Sequence, residues 1–254
     1  MAGTIVTWPG TDGDWMPIGC PPPGTNLIYN DLHDDFAGAP GLHQLDIVGT
    51  DAYPAALVYT ADPTHFMARM RVDSWVDPST PNTQFVWQFL FDTDLDPDNY
   101  VDWSLQYDSK TDHELELVPA MSGGPLFLNV ALTPHVVPPA PWSGDPADYV
   151  RATAITSDLV NLGDTGVADS FLDVAIPWAD FTAWTGLTPA SFAAVNDNDS
   201  PTLVMYLTTS SSHLQVTADI PNQCGVSSAT IPEPATLSLL ALGGLGLLRR
   251  RRKA

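Results

Sequence analysis

The chain has 254 residues, 44% hydrophobic and only 15% charged, which excludes a disordered polymer and suits one large all-β domain. It carries 30 acids against 9 bases; setting aside Glu233 and the terminal Arg249, Arg250, Arg251, Arg252 and Lys253 leaves a body of 29 acids and four bases, net −25. Such a surface repels phosphate backbones, which excludes nucleic acid as a partner, and attracts divalent cations.

Residues 1–44 read as an irregular N-terminal segment with an edge strand. Its start, "MAGTIVTWPGTDGDW", lacks the basic n-region and apolar run of a secretory signal. "CPPPGTN" holds Cys20; the other cysteine is Cys224. In an exported body the two can pair, closing a long loop worth roughly 5 kcal/mol in the chain-entropy model, or both can remain thiols. No Cys-x-x-Cys or Cys/His cluster is present, which argues against structural zinc.

From residue 45 to 222 the pattern is strands and turns. "HFMARMRVDS" alternates Phe66, Ala68, Met70 and Val72 against Met67, Arg69, Arg71 and Asp73. "TQFVWQFLFDT" places Phe85, Trp87, Phe89 and Phe91 on one face and Val86, Gln88 and Leu90 on the other. "YVDWSLQYDS" points Val101, Trp103, Leu105 and Tyr107 inward, with Asp102, Ser104, Gln106 and Asp108 outward. Period-two alternation with an aromatic face marks half-buried antiparallel strands. "HELELV", "PLFLNVAL", "YVRATAIT", "SFLDVAIP", "PTLVMYLTT" and "LQVTADI" extend the series, and Pro-rich "HVVPPAPWSGDP" reads as a loop. Helical periodicity is confined to "WADFTAWTGLTPASF". The predicted fold is all-β: an antiparallel two-sheet β-sandwich, jelly-roll or immunoglobulin-like, followed by one short C-terminal transmembrane helix.

The sharpest constellation in the body is "FDTDLDPDNYVDW". Asp92, Asp94, Asp96 and Asp98 alternate and Asp102 follows. Hard oxygens at this spacing suit calcium, the candidate cofactor; the competing reading is a solvated turn between strands. The stretch lacks the sixth-position glycine and twelfth-position glutamate of an EF-hand, Trp103 standing in the latter place. No nucleophile elbow, phosphate-binding loop or dinucleotide fingerprint appears, and no catalytic residue is assigned. Glu114 and Glu116 fall on an outward strand face. Trp8, Trp15, Trp75, Trp142, Trp178 and Trp184 read as exposed rings at loops or strand ends, and among them Trp75 and Trp142 are candidates for stacking on sugar rings, against half-exposed packing at loop bases as the alternative.

Two stretches carry a resemblance for the body. "LDIVGTDAYPAALVYTADPTHFMARMRVDS" (Leu45 to Ser74) and "SFLDVAIPWADF" (Ser170 to Phe181) resemble DOMON-like and family-nine-like carbohydrate-binding sandwiches. That resemblance implies a β-sandwich that binds sugar, in some members with calcium or haem, and transfers no particular site.

After a linker at 223–231, residues 232–254 are of another kind. Pro232, Glu233 and Pro234 precede 14 uncharged residues, Ala235 to Leu248, and then the five bases. As a helix this run spans about 21 Å against about 30 Å of hydrocarbon, a short span that flanking arginines extend by snorkelling. Positive charge stays cytoplasmic, so the body faces outward. This order of motif, apolar run and basic stop resembles the PEP-CTERM sorting signal of Gram-negative bacteria. The resemblance implies recognition by an exosortase-type membrane protease at Pro232–Glu233–Pro234 and delivery to the cell surface or extracellular matrix. Such proteins normally carry an N-terminal signal peptide; a leader encoded upstream of Met1, or a lost one, is the expectation. The leading function is a non-catalytic exported surface or matrix protein in contact with envelope or biofilm polysaccharide. The alternatives are a carbohydrate-binding module with a defined glycan ligand and, last, a glycoside hydrolase.

Overall fold

The computed structural model describes residues 6–18, 43–50, 53–74, 76, 85–93, 102–110, 114–119, 143–144, 146–155, 168–192 and 203–210. In chain order the strands are β1 (Met16–Pro17), β2 (Ala56–Tyr59), β3 (His65–Val72), β4 (Val86–Asp92), β5 (Trp103–Asp108), β6 (Glu114–Pro119), β7 (Ser143–Gly144), β8 (Val150–Ala154), β9 (Ser170–Pro177) and β10 (Val204–Ser210). Among the described residues three short α-helices accompany them: α1 (Pro146–Tyr149), α2 (Trp178–Thr185) and α3 (Pro189–Phe192). The strands form two antiparallel sheets ordered β1-β2-β3-β9-β8 and β10-β4-β5-β6-β7.

The alternating sequence places the core between them. Phe66, Ala68, Met70 and Val72 of β3 and Leu172, Val174 and Ile176 of β9 share one apolar cluster with Trp87, Phe89 and Phe91 of β4 and Leu105 and Tyr107 of β5. Phe66 is its hub. Its ring lies 6.0 Å from Phe91 across the sheets and stacks on Phe181 and Phe192 at 4.6 and 4.8 Å. Rings at these separations contribute about 0.5–1.5 kcal/mol per pair beyond the area they bury.

Helix α2 plugs one end of this core. Trp178 and Phe181, three residues apart, bury one face, which is the i, i+3 relation of neighbouring turns. Pro177 stays extended at the start, and Gly186 ends the helix at φ 73°, its N–H bonding Thr182 O at 2.9 Å. Gly49 is required for a different reason: a Cβ there would meet Ala55 N at 2.6 Å. The segment around Gly49 continues the sheet beyond β2, with Ile47 opposite Val72.

Three expectations change. The outward faces are covered instead of half-solvated: every residue of β3 and β4 is buried, and Ser104, Gln106 and Asp108 of β5 are buried too. On the first sheet the cause is residues 6–18, whose Val6 and Trp15 pack over Leu57, Met67, Phe171 and Ala175 as a second apolar cluster. The loop read at "HVVPPAPWSGDP" contains the edge strand β7, where Gly144 pairs Leu115, and the start of α1 at Pro146. Trp15 and Trp178, expected at loops or strand ends, are buried. "PLFLNVAL", "LQVTADI" and the terminal apolar run lie outside the described residues. Among the described residues no helix is long and apolar enough to cross a membrane.

Candidate functional site

The β4–β5 connection carries the acidic constellation. Asp92 ends β4 buried, and Asp102 immediately precedes β5 half-buried. Asp102 Oδ2 accepts from both the backbone N–H and the hydroxyl of Thr93 at 2.7 Å, and its own N–H bonds Phe91 O at 2.8 Å. That carboxylate therefore closes the neck of the hairpin. Beside it Tyr206, opposite Leu90 on β10, has its phenol pushed up to about 12 by burial and by the negative charge of Asp92. Asp94, Asp96 and Asp98 lie outside the described residues. Among the described residues no three His, Cys, Asp or Glu side chains gather as a metal cage.

The outer face of the same sheet carries a row of amides. Thr208, Gln88, Gln106, Glu116 and Ser143 are in register across five strands. Gln88 Nε2 donates to Gln106 Oε1 at 3.0 Å, and Gln106 Nε2 donates to Glu116 Oε2 at 2.7 Å. Glu116, expected as an outward surface charge, is thus half-buried and accepts a hydrogen bond from Gln106. Gln88 Oε1 and Ser104 Oγ are buried with no partner among the described residues.

The outer face of the first sheet carries charge. Arg69 meets Asp173 through two bonds, Nε to Oδ1 at 2.6 Å and Nη2 to Oδ2 at 2.9 Å, and Arg151 Nε reaches the same Oδ2 at 2.7 Å. Asp173 is fully buried, so the forked guanidinium–carboxylate geometry compensates lost hydration. Aromatic rings complete the compensation. Arg69 is sandwiched between Trp15 and Phe171, each at 4.2 Å, Arg151 lies over Trp8 at 4.7 Å, and Arg71 lies over Phe171 at 4.5 Å. Arg71 Nη1 also approaches Asp169 Oδ2 at 3.7 Å, and His43 Nδ1 lies 3.1 Å from Asp73 Oδ2.

Sequence reasoning did not single out Asp46, Asp73, Asp169 and Asp173, all completely buried. Strand parity held the signal for two of them: Asp173 alternates with the inward Leu172 and Val174 and therefore shares the face of Arg69. Asp169 follows by the same count. Trp103 packs against Trp184 of α2 at 6.2 Å, both half-buried. Trp75, Trp142, Cys20 and Cys224 lie outside the described residues, as do Pro232, Glu233, Pro234, Arg249, Arg250, Arg251, Arg252 and Lys253.

The comparisons with known proteins fall at the other end of the chain. Residues 230–253 match the family model of the PEP-CTERM protein-sorting motif. The chain carries a PEP-CTERM sorting motif. The match takes in the Pro-Glu-Pro step, the uncharged run and the basic cluster together. PEP-CTERM signals are recognised by exosortase, so the motif marks an exported protein sorted to the envelope. No curated protein matches the chain, and no solved structure does.

Proposed function

We propose that this is a non-catalytic protein of the cell surface or extracellular matrix, held first by its C-terminal segment and processed at Pro232–Glu233–Pro234 by an exosortase-type protease. The body stands outside the cytoplasm and the basic end inside, because Arg249 to Lys253 resist translocation. The observation that carries this reading is the match at residues 230–253. The acidic body fits it, since a net −25 keeps exported copies soluble and draws divalent cations. Contact with envelope or biofilm polysaccharide is the role proposed for the sandwich, with calcium at the β4–β5 connection as its candidate ion. Two antiparallel sheets and the resemblance of Leu45 to Ser74 and Ser170 to Phe181 to carbohydrate-binding sandwiches support that part.

Replacing Pro232, Glu233 and Pro234 with alanine tests the processing step. Intact mass of the protein recovered from its native host should show a C-terminus shortened near the motif in the natural chain and an uncleaved tail in the variant. Equal masses would remove exosortase processing from the account. For the glycan part, binding to envelope polysaccharide should weaken at least tenfold in Trp75→Ala or Trp142→Ala. Binding unchanged by both substitutions would leave the sandwich without its proposed ligand surface.

A further inference from the structure

The start of β3 holds a buried imidazole in a network that fixes its tautomer. Asp62 Oδ1 accepts three hydrogen bonds: from Thr64 N at 2.6 Å, Thr64 Oγ1 at 2.5 Å and His65 N at 2.8 Å. Burial alone would raise the Asp62 carboxyl, but the Thr64 hydroxyl, the two backbone N–H groups and the nearby imidazole outweigh it and hold the group below its ordinary value. Asp62 is therefore an anion at neutral pH, and the single hydroxyl hydrogen of Thr64 points to it. Thr64 Oγ1 also lies 2.7 Å from His65 Nδ1. With its hydrogen already committed, that oxygen can only accept, so Nδ1 carries the proton and donates. Nε2 is left as a bare lone pair. It is buried and has no partner among the described residues, on a side chain only 1% exposed.

This turn is also where α2 docks. Thr64 O accepts the Trp178 backbone N–H at 2.9 Å, and Asp62 O accepts the Trp178 indole N–H at 2.9 Å. Phe66, next in sequence, stacks on Phe181 of the same helix. The groups around the imidazole offer little to a second proton. Asp62 Oδ1 stands 3.7 Å from Nδ1, on the side away from Nε2 in the ring, and Tyr149 of α1 lies 6.1 Å away ring to ring. Opposite in the ladder, β9 presents Pro177, which neither titrates nor donates.

We propose that His65 makes the docking of α2 onto β3 acid-sensitive, neutral imidazole holding the junction closed and protonation at Nε2 loosening it. Protonation there would bury a positive charge and an unpaired N–H next to Tyr149, on the sheet face opposite Phe66, within the turn that binds Trp178. Burial lowers the imidazole's affinity for a proton despite the nearby Asp62 carboxylate. The sign follows: the folded protein binds this proton less readily than the unfolded chain. The neutral form's contribution is complete above the ordinary histidine range and is lost as pH falls through 6.5 toward the lower folded value.

Thermal unfolding of the full chain between pH 7.5 and pH 5 tests this against His65→Asn, whose amide keeps a donor for Thr64 without titrating. The surface carboxylates affect both proteins alike. Tm of the natural protein should fall measurably further than that of the variant across this interval, because only the natural protein carries an imidazole whose protonation burial opposes. Parallel Tm profiles would overturn the proposal. Should the variant fail to fold, nitrogen-15 NMR of the natural protein decides: the proposal requires the Nδ1–H tautomer and a His65 midpoint below 6.5. The opposite tautomer, or a midpoint at or above that value, would refute it.

Discussion

Arg69 and Arg250 are the same residue type used under opposite conditions. Arg69 is buried on a sheet face, forked onto Asp173 and pressed between two aromatic rings. Arg71 and Arg151 share that face, so three of the four cations of the body are committed to one surface of one sheet. Arg250 stands among five consecutive bases after an uncharged run, with no acid in sequence after Glu233. A cation with partners contributes to the fold and tells nothing about destination. A run of cations without nearby acids contributes nothing to a core and resists crossing a bilayer. The body and the terminal motif thus divide stability and address between them.

The largest effect expected in the body is at Asp173. Asp173→Ala would leave Arg69 buried without its carboxylate and should cost about 3–5 kcal/mol, a large share of the whole stability of a domain. Chemical denaturation should show it directly. Arg151→Ala should cost only about 1 kcal/mol, because Arg151 is partly exposed and Asp173 keeps both bonds to Arg69. Equal costs for the two would contradict the view that Arg69–Asp173 anchors this face.

The amide row on the other sheet sharpens the comparison with a neutral case. Gln106→Met would remove the acceptor of the Gln88 amide N–H on one side and a donor to Glu116 on the other, about 1–3 kcal/mol by the cost of unmade hydrogen bonds. Gln88→Met should cost less than 1 kcal/mol, since it also removes a buried oxygen that has no partner among the described residues. The order of these two in urea unfolding checks the direction of the chain. The effect at Gly186 is similarly small and has another origin: Gly186→Ala meets no steric contact and carries only the cost of the left-handed backbone, roughly 1 kcal/mol.

Much of the sandwich was legible because alternation determines faces. Phe66 to Val72 and Phe85 to Phe91 predicted which residues meet in the core, and the two sheets place them there. Alternation is blind to what covers the other face. The packing of Trp15 over Arg69 joins residues 54 apart in sequence, and only tertiary structure brings them together. Polar side chains such as Gln106 read as solvated because their partners, Gln88 and Glu116, sit on neighbouring strands whose register the sequence does not state. Asp92 and Asp102 were legible as an acidic pair, but not that Asp102 spends one oxygen on Thr93. The terminal motif was the most legible part, since its physics is local: a proline-bounded step, an apolar length and a block of charge in one uninterrupted stretch.

Fractionation of the native host, comparing the complete chain with one ending at Ser228, is the measurement that bears most directly on this division. The complete chain should be found in the envelope or at the surface. The shortened chain should keep the unfolding curve of the body and fail to reach that destination. If both arrive in the same compartment in the same amount, the address is not in residues 230–253 and the division of labour is wrong.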